Sequence, residues 1–296
     1  MARFVTTARS TTDRHNPLDT EPPWWRARLA PSHPRSVVLL FSFFGGLLLA
    51  FVLIPLLTLG ATPTPAQLLR VAGMGDVRDA LVLSFEAAFF ATILAALLGV
   101  PLAYLLARTS FRGKAVIAAI IDIPLAVPHT IVGIALLMVF GRDGNLGAPA
   151  QALLGLKFWG TIAGVVVAML FVAAPYTVNA ARIGFEAVDP RLEKVARTLG
   201  MGPWRTLAHV TLPLSWRGIM TGVTLTYARS ISEFGAVVIL VYYPMTAPVK
   251  IYDLFLRYGL DDAAAVAVLL LIISLALFIL LRHFAYGRKL QGGESR

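Results

Sequence analysis

The sequence holds no cysteine. That excludes a disulfide framework, a thiolate metal site and thiol redox chemistry, and it leaves the compartment open. No Gly-x4-Gly-Lys-Ser/Thr loop occurs, so the chain does not hold ATP in that manner. Nor is there a His-Glu-x-x-His or a Gly-x-Ser-x-Gly, and nothing sets a nucleophile beside a base; no catalytic site and no cofactor of its own are expected. Charge is scarce, at 14% of residues, and acidic residues number 16 against 26 basic ones. The net charge of +10 could suggest nucleic acid. However, no basic stripe interleaved with aromatics is present, and the charge lies between apolar runs, so nucleic acid is not an expected partner.

Apolar residues make up 57% of the chain, and the mean hydropathy is +0.75. This is a membrane composition, with lipid as solvent. Runs long enough to cross ~30 Å of hydrocarbon stand at about 37–59, 79–106, 115–140, 160–181, 214–242 and 263–286. The expectation is an all-α integral membrane protein of six spans over residues 36–287. Residues 1–35 are polar and basic, broken by Pro22, Pro23 and Pro31, and read as a disordered tail whose Trp24, Trp25, Arg26 and Arg28 rest on headgroups. The first apolar run starts too late and extends too far for a signal peptide. Residues 288–296 read as a short second tail.

Lys and Arg are unevenly shared between the two sides. One side would hold the basic 1–35 tail, Arg108, Arg112 and Lys114, the six basic residues from Arg182 to Arg217, and the basic C-terminus. The other would hold only Arg70, Arg78, Arg142, Lys157, Lys250 and Arg257. Both termini and the loop at 183–213 are therefore expected in the cytoplasm, in a multi-pass protein of the cytoplasmic (inner) membrane.

That loop has structure of its own. Leu192, Val195, Ala196 and Leu199 fall at i, i+3, i+4 and i+7, one apolar stripe of a short helix. Gly200 and Gly202 suit a helix stop and a sharp turn, because both tolerate positive φ. Pro203 can open a second short helix through Trp204, Leu207 and Val210. Leu212 and Pro213 then mark the start of the next span. By pattern alone, the hairpin is either an interfacial helix or a docking element.

Ionisable residues inside spans are expensive and face protein or a watery path. Glu86 reads as a snorkelling side chain, and Asp122 lies near an interface. Pro124 and Pro128 remove backbone hydrogen bonds and bend the third span, either as tolerated prolines or as the lining of a path. A metal at His129 would need a second ligand, and none stands near it in sequence; a hydrogen-bonded interior histidine is the expectation. In the fifth span, Arg229 and Glu233 share a helix face at i and i+4 and are expected to pair. Contact of Arg229 with a passing anion is the alternative. Pro124, Pro128, His129, Arg229, Ser232 and Glu233 are the candidate path residues.

Gly200, nine residues, then Val210-Thr211-Leu212-Pro213 resembles the EAA loop of ABC-importer permeases. The family's Glu position is Lys194 here, with Glu193 one residue earlier, and Val195-Ala196 stand for its two alanines. Ala228-Arg229-x-x-x-Glu233-Phe234-Gly235-Ala236 is similar to the fifth-span signature of oxyanion importers. The stretches Pro128–Leu137 and Arg191–Gly200 resemble the molybdate/tungstate branch. The resemblance covers about 40–285. It implies a type I ABC importer permease, a homodimer around a central path, translocating a tetrahedral oxyanion, molybdate or tungstate. Two copies of a cytoplasmic ABC ATPase would bind the ATP, and a periplasmic or extracellular oxyanion-binding protein would dock opposite. Leu192, Glu193, Val195, Ala196, Leu199, Gly200, Gly202, Leu212 and Pro213 would form the coupling element. A sulfate/thiosulfate permease is the alternative within the family. An ATPase-independent secondary transporter is the alternative outside it, but no repeat joins the halves and Glu86, Asp122 and Glu233 form no single ion site.

Overall fold

The computed structural model describes residues 35–286, which are all helix, turn and loop with no strand among them. The expected tail at 1–35, all but its last residue, and that at 288–296 lie outside the described residues, as does the headgroup contact expected of Trp24 to Arg28. The chain divides into two units at Thr58 and Leu59. The first ends within helix α1 (Arg35–Ala61), a 27-residue apolar helix carrying Pro55.

The second unit begins with α2 (Pro65–Ala72). Thr64 caps it reciprocally with Gln67, whose amide oxygen accepts from the Thr64 N–H at 2.7 Å. α3 (Gly75–Arg108) runs for 34 residues. α4 (Lys114–Ala126) and α5 (His129–Phe140) follow, then α6 (Gly147–Leu154) and α7 (Ile162–Glu186). α8 (Pro190–Thr198) and α9 (Pro203–Thr206) form the loop; a π turn over Leu207–Thr211 leads into α10 (Leu212–Ile231). The chain ends in α11 (Gly235–Leu240), α12 (Ala247–Tyr258) and α13 (Leu260–Tyr286).

Among the described residues, α1, α3, α7 and α13 are long and apolar enough to cross a membrane. α4 and α5 reach that standard only together, as a pair bent by 112°. Two of the six expected runs are therefore not continuous helices. The run at 115–140 breaks at Val127, whose extended backbone (φ −88°, ψ 134°) is what a residue before proline adopts, and Pro128 then caps α5. The sequence predicts a bend here, and the observed one is a full break. The run at 214–242 stops at Ile231 and restarts at Gly235.

α3, α7 and α10 pack through small residues. Between membrane helices, close backbone approach replaces the hydrophobic drive available in water. Ala87, Ala88, Ala91 and Gly99 of α3 are buried in this packing. Where α7 crosses α10, a Cβ on Gly218 would lie 2.5 Å from the Gly184 Cα, so the crossing admits no side chain. About two helical turns away, the Thr177 hydroxyl donates to Thr226 Oγ1 at 2.6 Å, and Thr226 donates onward to the Ala173 carbonyl at 3.0 Å. Asn179 of α7 donates to Asp122 of α4 at 2.7 Å, giving that in-span carboxylate an interior partner. Ser84 of α3 accepts from the N–H of Ala247 at 2.7 Å and so satisfies an orphan donor at the start of α12.

Candidate functional site

Two places gather the expected residues, one in the loop and one where the broken helices meet. In the loop, Asp189 accepts from the Arg191 N–H at 2.8 Å and Pro190 holds the first position, so α8 begins with its donors answered. Gly200 then takes φ +87°, with open space where a Cβ would stand. Its conformation, not crowding, requires glycine. Gly202 differs from the expectation: its φ is −66°, an ordinary extended value, and it serves as the cap before Pro203.

The expected single apolar stripe divides between two faces. Ala196 is buried, and the residue buried beside it is Glu193. Leu192, Val195 and Leu199 are exposed, as is Trp204, at 81%. The reason is electrostatic. Arg108, at the end of α3, donates from Nε to Glu193 Oε1 at 2.9 Å and from Nη2 to the Val188 carbonyl at 2.9 Å. The Thr211 hydroxyl donates to the same carboxylate oxygen at 2.9 Å. These groups turn the Glu193 face inward, and the aliphatic face is left outward with Arg191, Lys194 and Arg197 around it. Arg108 and Thr211 were missed from sequence as site residues; Arg108 entered only as a topological charge.

Leu212 and Pro213 stand at the start of α10. The chain passes from α9 into α10 through the π turn, in which the Leu212 N–H bonds to the Leu207 carbonyl. Proline at 213 has no N–H and crowds the carbonyl four residues back, and widening the preceding turn relieves both effects.

At the second place, Arg229 donates from Nη2 to Glu233 Oε2 at 2.8 Å, the expected pair. The other Glu233 oxygen accepts from the Ala236 N–H at 2.8 Å, which ties the carboxylate to the start of α11. Arg229 also reaches His129 across the fold, with Nη2 to Nε2 at 2.6 Å, and Ser232 Oγ at 3.3 Å. A guanidinium only donates, so Nε2 is the acceptor and the proton of a neutral His129 ring sits on Nδ1. Nδ1 is buried and unpaired. α5 and α11 touch at glycines: a Cβ on Gly235 would lie 2.8 Å from that of His129, and one on Gly133 2.8 Å from that of Ile239. Thus both helix breaks lie side by side, with His129, Arg229, Ser232 and Glu233 in one network. Pro128 caps α5 and is exposed, whereas Pro124 is buried within α4 and joins no polar contact.

Glu86, read as a snorkelling side chain, is exposed and lines a cavity of about 580 Å³ together with Asp79, Lys250, Asp253 and Arg257. No group of three or more His, Cys, Asp or Glu fit to hold a metal ion occurs among the described residues.

A family profile described as "Binding-protein-dependent transport system inner membrane component" matches residues 99–289. The molybdate/tungstate transport system permease protein WtpB of Thermococcus kodakarensis is 39% identical over 252 residues, 84% of this chain and 96% of that protein. The probable sulfate transport system permease protein cysT of Chlorokybus atmophyticus is 32% identical over 255 residues, 85% of this chain and 88% of that one. In three dimensions the chain is similar to a chain of a bacterial alginate ABC transporter solved in complex with an alginate pentasaccharide-bound periplasmic protein. That likeness has a TM-score of 0.70 at 14% identity and covers 86% of this chain and 95% of the other.

Proposed function

Because the chain belongs to the family of binding-protein-dependent transport system inner membrane components, we propose that it is the permease subunit of an ABC importer that carries a tetrahedral oxyanion, molybdate or tungstate, into the cytoplasm. In this reading the chain crosses the membrane six times, with α4–α5 and α10–α11 each a broken span. Its termini and the 183–213 loop face the cytoplasm. Two copies form the path, each docks one ATPase subunit, and an oxyanion-binding protein docks on the opposite side.

The observation that carries the reading is the outward face of α8. Leu192, Val195, Leu199 and Trp204 are exposed on a loop whose other face is buried against the end of α3. A solvent-facing apolar group rimmed by basic residues marks a partner site. ATP itself would be bound by that partner. The loop is joined covalently to α10 and by Arg108 to α3, so a shift of a docked ATPase would reach both helices at once.

Similarity to the WtpB permease supports molybdate or tungstate, and the lower identity to the cysT protein makes sulfate or thiosulfate the second reading. The test reconstitutes the chain with its ATPase and adds binding protein loaded with each anion. Stimulation of ATP hydrolysis by molybdate- or tungstate-loaded protein is expected. Stimulation by sulfate-loaded protein alone would replace the substrate, and hydrolysis indifferent to any binding protein would end the importer reading.

A further inference from the structure

The Arg229 network has an asymmetry that the pairing alone does not require. The Arg229 side chain keeps 20% of its surface exposed, while that of Glu233 keeps 1%. Both carboxylate oxygens are occupied, one by Arg229 and one by the Ala236 N–H. The carboxylate is thus sealed behind the guanidinium, and the face presented outward is positive.

The hydrogen-bond inventory points the same way. Of the five N–H donors of an arginine, two on Nη2 go to Glu233 and His129, and one on Nη1 goes to Ser232. The Nε donor and the second on Nη1 have no protein partner among the described residues. Ser232 has spent its one proton on the Arg229 carbonyl at 3.0 Å and accepts from Arg229. The His129 Nδ1–H is left over as well. The unspent N–H groups are donors, and an acceptor-only ligand is what they fit.

Depth narrows the ligand further. Arg217, exposed on the same helix, marks the loop-side boundary, and Arg229 lies roughly 18 Å beyond it by helical rise. That is more than halfway through ~30 Å of hydrocarbon. An open guanidinium edge at this depth faces protein or water rather than lipid tails.

We propose that Arg229, sealed behind by Glu233 and oriented by His129, is a contact point for the tetrahedral oxyanion as it passes through the membrane. The proposal rests on the importer reading above. The site is suited to transit: the free Nε and Nη1 donors lie on different sides of the guanidinium and offer single hydrogen bonds rather than a two-pronged grip, and the buried Glu233 offsets its charge, so the dianion is met without being trapped.

The experiment measures molybdate carried and ATP hydrolysed in the same proteoliposomes, with the assembled complex and molybdate-loaded binding protein. Arg229→Lys keeps the charge but withdraws the planar spread of donors, and the expected result is at least a tenfold fall in molybdate carried per ATP. Ser232→Asp places a carboxylate beside Nη1 from an exposed position, and a fall of similar size is expected. A purely structural role lowers transport and hydrolysis together and leaves their ratio unchanged, which would overturn the proposal, as would a wild-type ratio in either variant. Vesicles of phosphatidylcholine alone and with added anionic lipid separate a free dianion from a headgroup phosphate. The fall should be equal in both, and one confined to anionic vesicles overturns the proposal. A wild-type complex that hydrolyses ATP without importing any oxyanion overturns the importer reading itself, and this inference with it.

Discussion

Arg108 and Glu193 stand 85 residues apart in sequence, yet their side chains meet at 2.9 Å, each only 11% exposed. This pair fastens the loop to the end of α3 and orients α8. Removing one partner of such a buried pair costs about 3 kcal/mol, because the other charge stays behind. Glu193→Ala and Arg108→Ala should each lower the thermal stability of the purified protein. The double variant should recover part of that loss, as read in a double-mutant cycle by thermal melting in detergent. A double variant worse than both singles would show that the two act separately.

The Arg229–Glu233 pair should obey the same logic at a different site. Glu233→Ala leaves a guanidinium and the Ala236 N–H without their acceptor, so the yield of folded protein should drop. Adding Arg229→Ala should restore some of it. Size-exclusion profiles of the extracted protein give the measurement, and a double variant no better than the worse single would count against the pairing.

Gly200→Val puts a β-branched residue at φ +87°, a strain of roughly 1 kcal/mol or more. The strain falls on the loop, so membrane insertion should be unaffected while ATPase docking weakens. Leu192→Asp and Trp204→Asp, which charge the outward face without touching the core, should act alike. Co-purification of the ATPase together with uptake reports this. Full retention in all three would make the loop an interfacial helix and nothing more.

Gly218→Leu is expected to behave in the opposite way. A Cβ there already lies 2.5 Å from the Gly184 Cα, and the helices would have to part. Folded protein should be lost outright, visible as loss of the monodisperse fraction after extraction. Folded protein at wild-type yield would mean that α7 and α10 do not cross so closely.

Orientation is open to direct measurement. Reporter fusions at Arg108 and Arg296 should read cytoplasmic, and one near Gly144 external. The reverse pattern would remove the loop from the side where an ATPase could reach it.

Much of this arrangement was readable in the sequence, and what escaped did so for identifiable reasons. The apolar runs showed the long helices, since length and composition are local properties. The i, i+4 spacing of Arg229 and Glu233 gave their pairing, because one helix carries both. Pro124 and Pro128 announced a bend, but the full break and its 112° angle lie where α5 packs against α11, far along the chain. His129 could not be joined to Arg229 from sequence, as 100 residues separate them. The single stripe expected on α8 divides between two faces for a related reason. Periodicity shows which residues share a face but not which face is buried, and that choice belonged to Arg108, far along the chain. Gly202 shows a further limit: sequence marks a glycine but not its φ.

The π turn between α9 and α10 bears on the geometry of motion. No flexible joint separates the loop from α10, so the helix tilts as a rod of about 30 Å, given its 20 residues. A rotation of about 10° at the loop end would sweep the far end sideways by ~5 Å, roughly one helical pitch. Arg229 rides near that far end, whereas His129 belongs to a different rod. A small angular input at the loop would therefore be enough to make or break the bond between them.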